Sequence, residues 1–261
     1  MTFKEKYGDW AVVTGASSGI GKSLAIELAN KGLNLILISQ SLDKLKAVEK
    51  QISNQFSIEI VVLAIDLTSS VNYQRIAEIC SDKEVGLVAN VAGQLYLGDY
   101  FQFPIEQELS MIDLNVKSSI WLSRYFGEIF KNKKRGGIIF IGSMLGFSGV
   151  PYSNTYSASK AFINSYGEGL SFELKKYGVD VLTASPGLTK TPMTAAYDFS
   201  SLPMKMSLPE KVARDIISSL GKKTTTTYGI TNKIMNWFSR HLMTRRQNLK
   251  MYGYLLNNVK K

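Results

Sequence analysis

The sequence predicts a doubly wound α/β fold, a single parallel sheet with helices on both faces, and three observations carry that prediction. Short segments rich in Val, Ile and Leu alternate with amphipathic stretches of ten or more residues. The short segments show no polar alternation, so each strand is buried on both faces. A Gly/Ser-rich turn separates the first strand from the first helix. The 261 residues, 45% hydrophobic and 20% charged, suit one large domain, and no internal repeat or long linker divides them.

The elements follow in order. Residues 10–14 (WAVVT) form the first strand; after the glycine turn, Ile20, Leu24, Ile26, Leu28 and Ala29 recur at near-helical spacing until Gly32 stops the helix. Strand 33–38 and amphipathic helix 42–52 come next, then strand 58–65, helix 71–79, strand 86–90 and a long helix over 105–130. Past Gly136 and Gly137 the pattern gives strand 138–141, helix 156–176 and strand 179–184. Residues 188–208 have no clear period, which makes them either a lid over a site or a disordered surface loop.

Composition excludes several function classes. The net charge is +10, yet residues 1–221 carry 22 Lys/Arg against 21 Asp/Glu, whereas residues 222–261 carry nine Lys/Arg and no acid. A neutral body with a basic tail is not the footprint of a nucleic-acid groove. Cys80 is the sole cysteine and His241 the sole histidine, so neither a Cys/His zinc site nor a Ser-His-Asp or Cys-His triad is available, and no metal is expected. Each of these two residues reads as structural. No apolar run reaches the roughly 18 residues a spanning helix needs.

Thr14 to Gly21 (TGASSGIG) places glycine where the backbone must turn tightly and approach a pyrophosphate, with free amides and a helix dipole favouring negative charge. Gly21-Lys22-Ser23 mimics the end of a P-loop, but Ala16 stands where its first glycine is required. This segment resembles the TGxxxGxG motif of the short-chain dehydrogenase/reductase family, and the resemblance runs from about Gly8 to Val212. It implies a Rossmann fold binding a nicotinamide dinucleotide through Gly15, Ser17, Ser18, Gly19, Ile20 and Gly21. It further implies contacts from Asp66 and Leu67 to the adenine end. The Asn-Asn-Ala-Gly of the family corresponds to Asn90-Val91-Ala92-Gly93, with the second Asn replaced. Pro186 and Gly187 match its Pro-Gly turn, with Thr189 and Thr191 placed to meet the nicotinamide carboxamide or the phosphates.

The end of the second strand reads Ile38-Ser39-Gln40-Ser41, without the acid that would accept from a free ribose 2′-hydroxyl and repel a 2′-phosphate. Ser17, Ser39, Ser41 and Lys44 are then the candidates to hold the phosphate, and NADP(H) is favoured over NAD(H).

Tyr156 and Lys160 stand four residues apart, on one face of a helix that begins at or before Tyr156. A phenol holds its proton to a pKa of about 10, and a nearby ammonium lowers that value, making the pair a proton donor to a carbonyl. An isolated pair of this kind is more often an accident of a solvated helix. Ser143, at the carboxyl end of the fifth strand, and Asn115, in the long helix, complete the family's set of four. The resemblance assigns Tyr156 as acid or base and Lys160 as its tuner and a ribose ligand. Ser143 becomes a donor to the substrate oxygen, and Asn115 a holder of water linking Lys160 to solvent.

Gln94, Leu95, Tyr96, Met144, Leu145, Phe147, Tyr152, Met193 and Tyr197 are the expected pocket wall, which suits an apolar ketone. Residues 6–15 and 37–41 resemble the branch of long-chain 3-oxoacyl reductases and 17-beta-hydroxysteroid dehydrogenases, implying fatty-acyl thioester or steroid substrates with NADPH. Membrane-embedded members carry an apolar segment ahead of the Lys-Tyr-Gly start, absent here, so a cytoplasmic or peripheral protein is expected, assembling as a homodimer or homotetramer. A catalytic domain over 1–230 is followed by an extension over 231–261. There Ile234, Phe238 and Leu242 form one helical stripe, with Trp237, His241 and Met243 nearby and Lys233, Arg240, Arg245 and Arg246 outside it. This basic amphipathic helix is read as packing with a solvated face, or as contacting an anionic membrane, an acidic acyl carrier protein or a neighbouring subunit. The rival class, a non-catalytic nucleotide-binding scaffold, is disfavoured by the intact Asn115, Ser143, Tyr156 and Lys160.

Overall fold

The computed structural model describes residues 2–200, 202, 204–257 and 259. Among them, β1 (Trp10–Thr14), β2 (Asn34–Ser39), β3 (Ile60–Ala64), β4 (Val85–Asn90), β5 (Gly136–Ile141), β6 (Val179–Ala184) and β7 (Thr225–Thr226) form one parallel sheet in the order β3-β2-β1-β4-β5-β6-β7. The order reverses between β1 and β4, and a crevice opens at the carboxyl ends of such a pair. β7 escapes sequence reading because its Thr-rich segment carries no apolar run.

Helices cover both faces. α2 (Gly19–Asn30), α3 (Leu42–Ser53) and α9 (Pro209–Ser219) bury Leu24, Leu28, Leu45, Val48 and Ile216 on one side. α4 (Val71–Cys80), α6 (Ser118–Lys133) and α7 (Asn154–Lys175) bury Tyr73, Ile76, Phe126, Phe130 and Ile163 on the other. A short α1 (Phe3–Tyr7), closed by a Thr2/Glu5 capping box, precedes β1. Cys80 is buried in the second core, where desolvation pushes its thiol up to about 12, an inert structural role.

Three segments differ from the periodicity. The helix expected over 105–130 is α5 (Ile105–Ile112), a π-helical turn (Asp113–Lys117) and α6 in succession. Residues 188–208 are not structureless: they hold α8 (Pro192–Ala195), and a bridge between Thr189 and Ser207 closes the loop's base. Ser201 and Pro203 of that loop lie outside the described residues. The tail folds as two helices, α10 (Ile230–His241) and α11 (Arg245–Asn257), instead of one, and Leu256 packs with Leu97, Val150 and Tyr197 of the body. Asn258, Lys260 and Lys261 of the tail also lie outside the described residues. Among the described residues, no helix is long and apolar enough to cross a membrane.

Candidate active site

A cavity of about 370 Å³ lies at the carboxyl ends of β1, β4 and β5. Its first wall is backbone. Gly15 and Gly19 adopt positive φ, and a Cβ on Gly21 would stand 2.2 Å from the Gly15 carbonyl oxygen, so the turn admits only glycine there. Ser18 is the N-cap of α2, yet its hydroxyl makes no capping bond, and Gly19, Ile20 and Gly21 of that first turn line the cavity. An uncapped helix start is a donor set for phosphate oxygens. Thr14 fixes the facing loop: its hydroxyl donates to Ala89 O (3.3 Å) and accepts from the amides of Val91 (2.9 Å) and Ala92 (3.0 Å). Val91 makes this bond through its amide, which any residue but proline supplies, so the bond survives replacement of the motif's second Asn.

At the carboxyl end of β2, the Ser17 and Ser39 hydroxyls meet at 2.9 Å, with Gln40 beside them on the cavity wall. Burial acts to raise the Asp66 pKa, but bonds from the Thr68 amide, Gln40 and the Thr68 hydroxyl hold it below its ordinary value. Leu67, Ala92, Gly93, Pro186, Gly187, Thr189 and Thr191 line the cavity as expected. Ser41, Lys44, Asp66, Asn90 and Asn115 do not. Both side-chain polar atoms of Asn90 are buried without a partner among the described residues.

The floor is made by β5 and α7. α7 begins two residues before Tyr156, so Tyr156 and Lys160 share one helical face. Ser143 caps the short 3-10 turn Met144–Phe147, accepting from the Leu145 amide at 3.1 Å, and its hydroxyl lies near enough to Tyr156 to act on the phenol's pKa. Asn164, one turn beyond Lys160, holds this edge by donating to Ser143 O (3.1 Å) and accepting from the Ser185 hydroxyl (2.8 Å).

Desolvation raises the Tyr156 pKa, and Ser143 opposes it only in part. Lys160 Nζ donates to Ile141 O at 2.8 Å and lies 5.7 Å from the Tyr156 ring centre, while burial takes its own pKa down to about 8. Asn115, in the π-helical turn, accepts from the Gln94 amide (2.8 Å) and donates to Gln94 O (3.1 Å) and Ser159 Oγ (3.0 Å). Its amide therefore positions the loop after β4. Sequence reading passed over Thr14's second role, Ser159 and Asn164, because their contacts are made across the fold.

The remaining wall is apolar, and Lys160 is the one charged residue among the described lining residues. Gln94, Leu95, Met144, Leu145 and Met193 line it as expected. The other four do not. Tyr96 and Tyr152 face a separate small indentation, Tyr197 is buried with its hydroxyl on the Leu97 amide and Leu95 O, and Phe147 lies 4.7 Å beneath the Arg240 guanidinium. Phe199, Leu202 and Met204 of the loop, with Met235, Tyr252, Leu255 and Leu256 of α10 and α11, complete the wall instead. Ser239 and Asn248 bond reciprocally at 2.8 Å, tying α10 to α11.

The sequence matches the short chain dehydrogenase family over residues 9–199. It is 35% identical over 237 residues to the 7beta-hydroxysteroid dehydrogenase of Clostridium sardiniense, covering 89% of this chain and 90% of that protein. It is 32% identical over 242 residues to the very-long-chain 3-oxoacyl-CoA reductase of Podospora anserina, covering 91% and 70%. A solved 7beta-hydroxysteroid dehydrogenase structure superimposes with a TM-score of 0.89 at 27% identity, over 97% of this chain and all of that one. With a family match over residues 9–199 and relatives 35% and 32% identical along most of their length, this chain belongs to the short-chain dehydrogenase family.

Proposed function

We propose that this protein is an NADP(H)-dependent oxidoreductase transferring hydride between nicotinamide and an apolar ketone or secondary alcohol. A hydroxysteroid is the first candidate and a 3-oxoacyl thioester the second. The observation that carries this reading is a hydroxyl pair, Ser143 and Tyr156, on the floor of an apolar cavity whose opposite wall is the uncapped glycine turn. The substrate classes are those named for the relatives from Clostridium sardiniense and Podospora anserina.

The residues fit a dinucleotide: Gly15, Ser17, Ser18, Gly19, Ile20 and Gly21 offer close backbone approach and open amides. Ser39, Leu67, Ala92, Gly93, Pro186, Gly187, Thr189 and Thr191 would line its path, with Ser41 and Asp66 behind them. The absence of an acid after β2, and the Ser17 and Ser39 hydroxyls in its place, support a 2′-phosphate and hence NADP(H). When bound, the reduced nicotinamide supplies hydride to a carbonyl carbon.

The protein does the rest. Ser143 donates to the carbonyl oxygen and Tyr156 delivers the proton to it, while Lys160, protonated below about pH 8, steadies the negative charge that forms. Asn115 and Asn164 hold the loops carrying Gln94 and Ser143. In the oxidative direction Tyr156 must first lose a proton that burial helps it keep, so oxidation gains from alkaline pH whereas reduction does not. Residues 1–230 would supply this machinery and 231–261 its roof. Exposed Ile120, Phe162 and Phe172 on α6 and α7 support a homo-oligomer.

The test is consumption of NADPH and NADH against ketosteroids, 3-oxoacyl thioesters and small aldehydes. Turnover with NADPH and a ketosteroid or 3-oxoacyl thioester, faster than with NADH, is expected. No consumption of either nucleotide across the panel overturns the reading.

A further inference from the structure

α10 is amphipathic in the wrong sense for a helix that packs on a protein. Its inward side carries Asn232, Asn236 and Ser239 with Met235, and Asn236 Oδ1 is buried without a partner among the described residues. Its outward side carries the large apolar residues: Ile230 is 71% exposed, Ile234 59%, Trp237 56%, Phe238 49% and Leu242 59%. At 100° per residue, positions 230, 234, 237, 238 and 242 fall on one continuous face. A stripe of this size left in water marks a surface that something covers.

Charge selects the occupant. Residues 222–261 contain nine Lys/Arg and no Asp or Glu. Lys233 and Arg240 border the stripe, and together with Lys223 and Thr225 they wall a groove of about 260 Å³ beside Trp237. A second copy of this chain docking through the same face would set one all-basic surface against another, which like-charge repulsion opposes. An anionic phospholipid surface satisfies both halves of the pattern, since acyl chains accept the Ile, Trp, Phe and Leu side chains and headgroup phosphates accept the flanking cations.

We propose that the outer face of α10 seats this protein on anionic phospholipid bilayers. The helix is then a partition: its outer side meets lipid, and Met235 on its inner side lines the cavity. An apolar substrate would thus enter from the layer in which it dissolves; this consequence rests on the activity proposed above, whereas the docking does not.

The experiment is co-sedimentation of the full chain with phosphatidylcholine vesicles, with and without phosphatidylglycerol, alongside a variant carrying Ile234→Ser, Trp237→Ser and Phe238→Ser. Thermal melting of the variant checks that it folds, and a separate Lys233→Gln, Arg240→Gln variant leaves the stripe intact. The wild type is expected to sediment with phosphatidylglycerol vesicles with a blue shift of Trp237 fluorescence. Binding should fall about tenfold or more in the serine variant, about fivefold for each cation removed, and steeply with salt. Equal sedimentation of wild type and serine variant, or none of the wild type at low salt, overturns the proposal. So does lipid-independent self-association, or capture by an acidic carrier protein, that the serine variant abolishes while vesicles are ignored.

Discussion

The two walls of the cavity are built in opposite ways. The glycine wall presents backbone: Gly15, Gly19 and Gly21 are close to one another in the chain, and what they offer is amides and space. The roof presents side chains, Met193, Phe199, Met204, Met235 and Leu255, brought together from the loop and from α10 and α11. A wall of amides recognises what all dinucleotides share and tolerates no added atoms. A wall rich in methionine recognises only shape and hydrophobicity and readjusts when atoms are removed. The contrast explains how one scaffold holds one cofactor while its relatives are named for different substrates.

The sharpest way to break this contrast is to add a methyl group to the backbone wall. Gly21→Ala places a Cβ 2.2 Å from Gly15 O, a clash with backbone that cannot rotate away. Overpacking of this kind costs about 3 kcal/mol, so NADPH affinity by fluorescence titration should fall about a hundredfold. Affinity within about threefold of wild type would mean that the wall is looser than described.

Between the walls, buried Lys160 should betray itself in stability. The unfolded chain holds this proton to 10.5 and the folded protein releases it at about 8, so folding gains as pH rises through that window. The gain is on the order of 2 to 3 kcal/mol and should be missing from Lys160→Met in denaturant titrations from pH 7 to pH 10. The same slope in both proteins would remove Lys160 as its source.

The roof should respond more mildly. Replacing Met235 and Leu255 together by Ala removes about 2 kcal/mol of apolar contact. KM for an apolar ketone should rise about tenfold to thirtyfold with NADPH affinity unchanged; a parallel loss of NADPH affinity would erase the distinction between the walls. Smallest of all, Ser17→Ala removes one hydroxyl from the Ser17 and Ser39 pair. It should weaken NADPH about fivefold and leave NADH alone.

Legibility in the sequence follows the same division. The strand, turn and helix around Gly15 to Gly21 were readable because the pattern that marks them, an apolar run, a glycine turn and a helical period, lies within one short segment, and the Tyr156 to Lys160 spacing was readable because α7 imposes it. The actual environment of those two side chains was not. The preference of Lys160 for Ile141 O and the bonds from Asn115 to Gln94 and Ser159 join distant segments. Tail residues Met235, Tyr252 and Leu255 were hidden for a further reason. The strongest apolar signal in α10 belongs to its outward face, so the pattern pointed away from the cavity that Met235 lines.

The central claim is that one wall binds and the floor reacts, and Tyr156→Phe separates the two most directly. With NADPH and the best ketone from the panel, the variant should bind NADPH within about twofold of wild type and lose turnover by about a hundredfold to ten-thousandfold. Turnover within about tenfold of wild type, or loss of NADPH binding in parallel with activity, would contradict it.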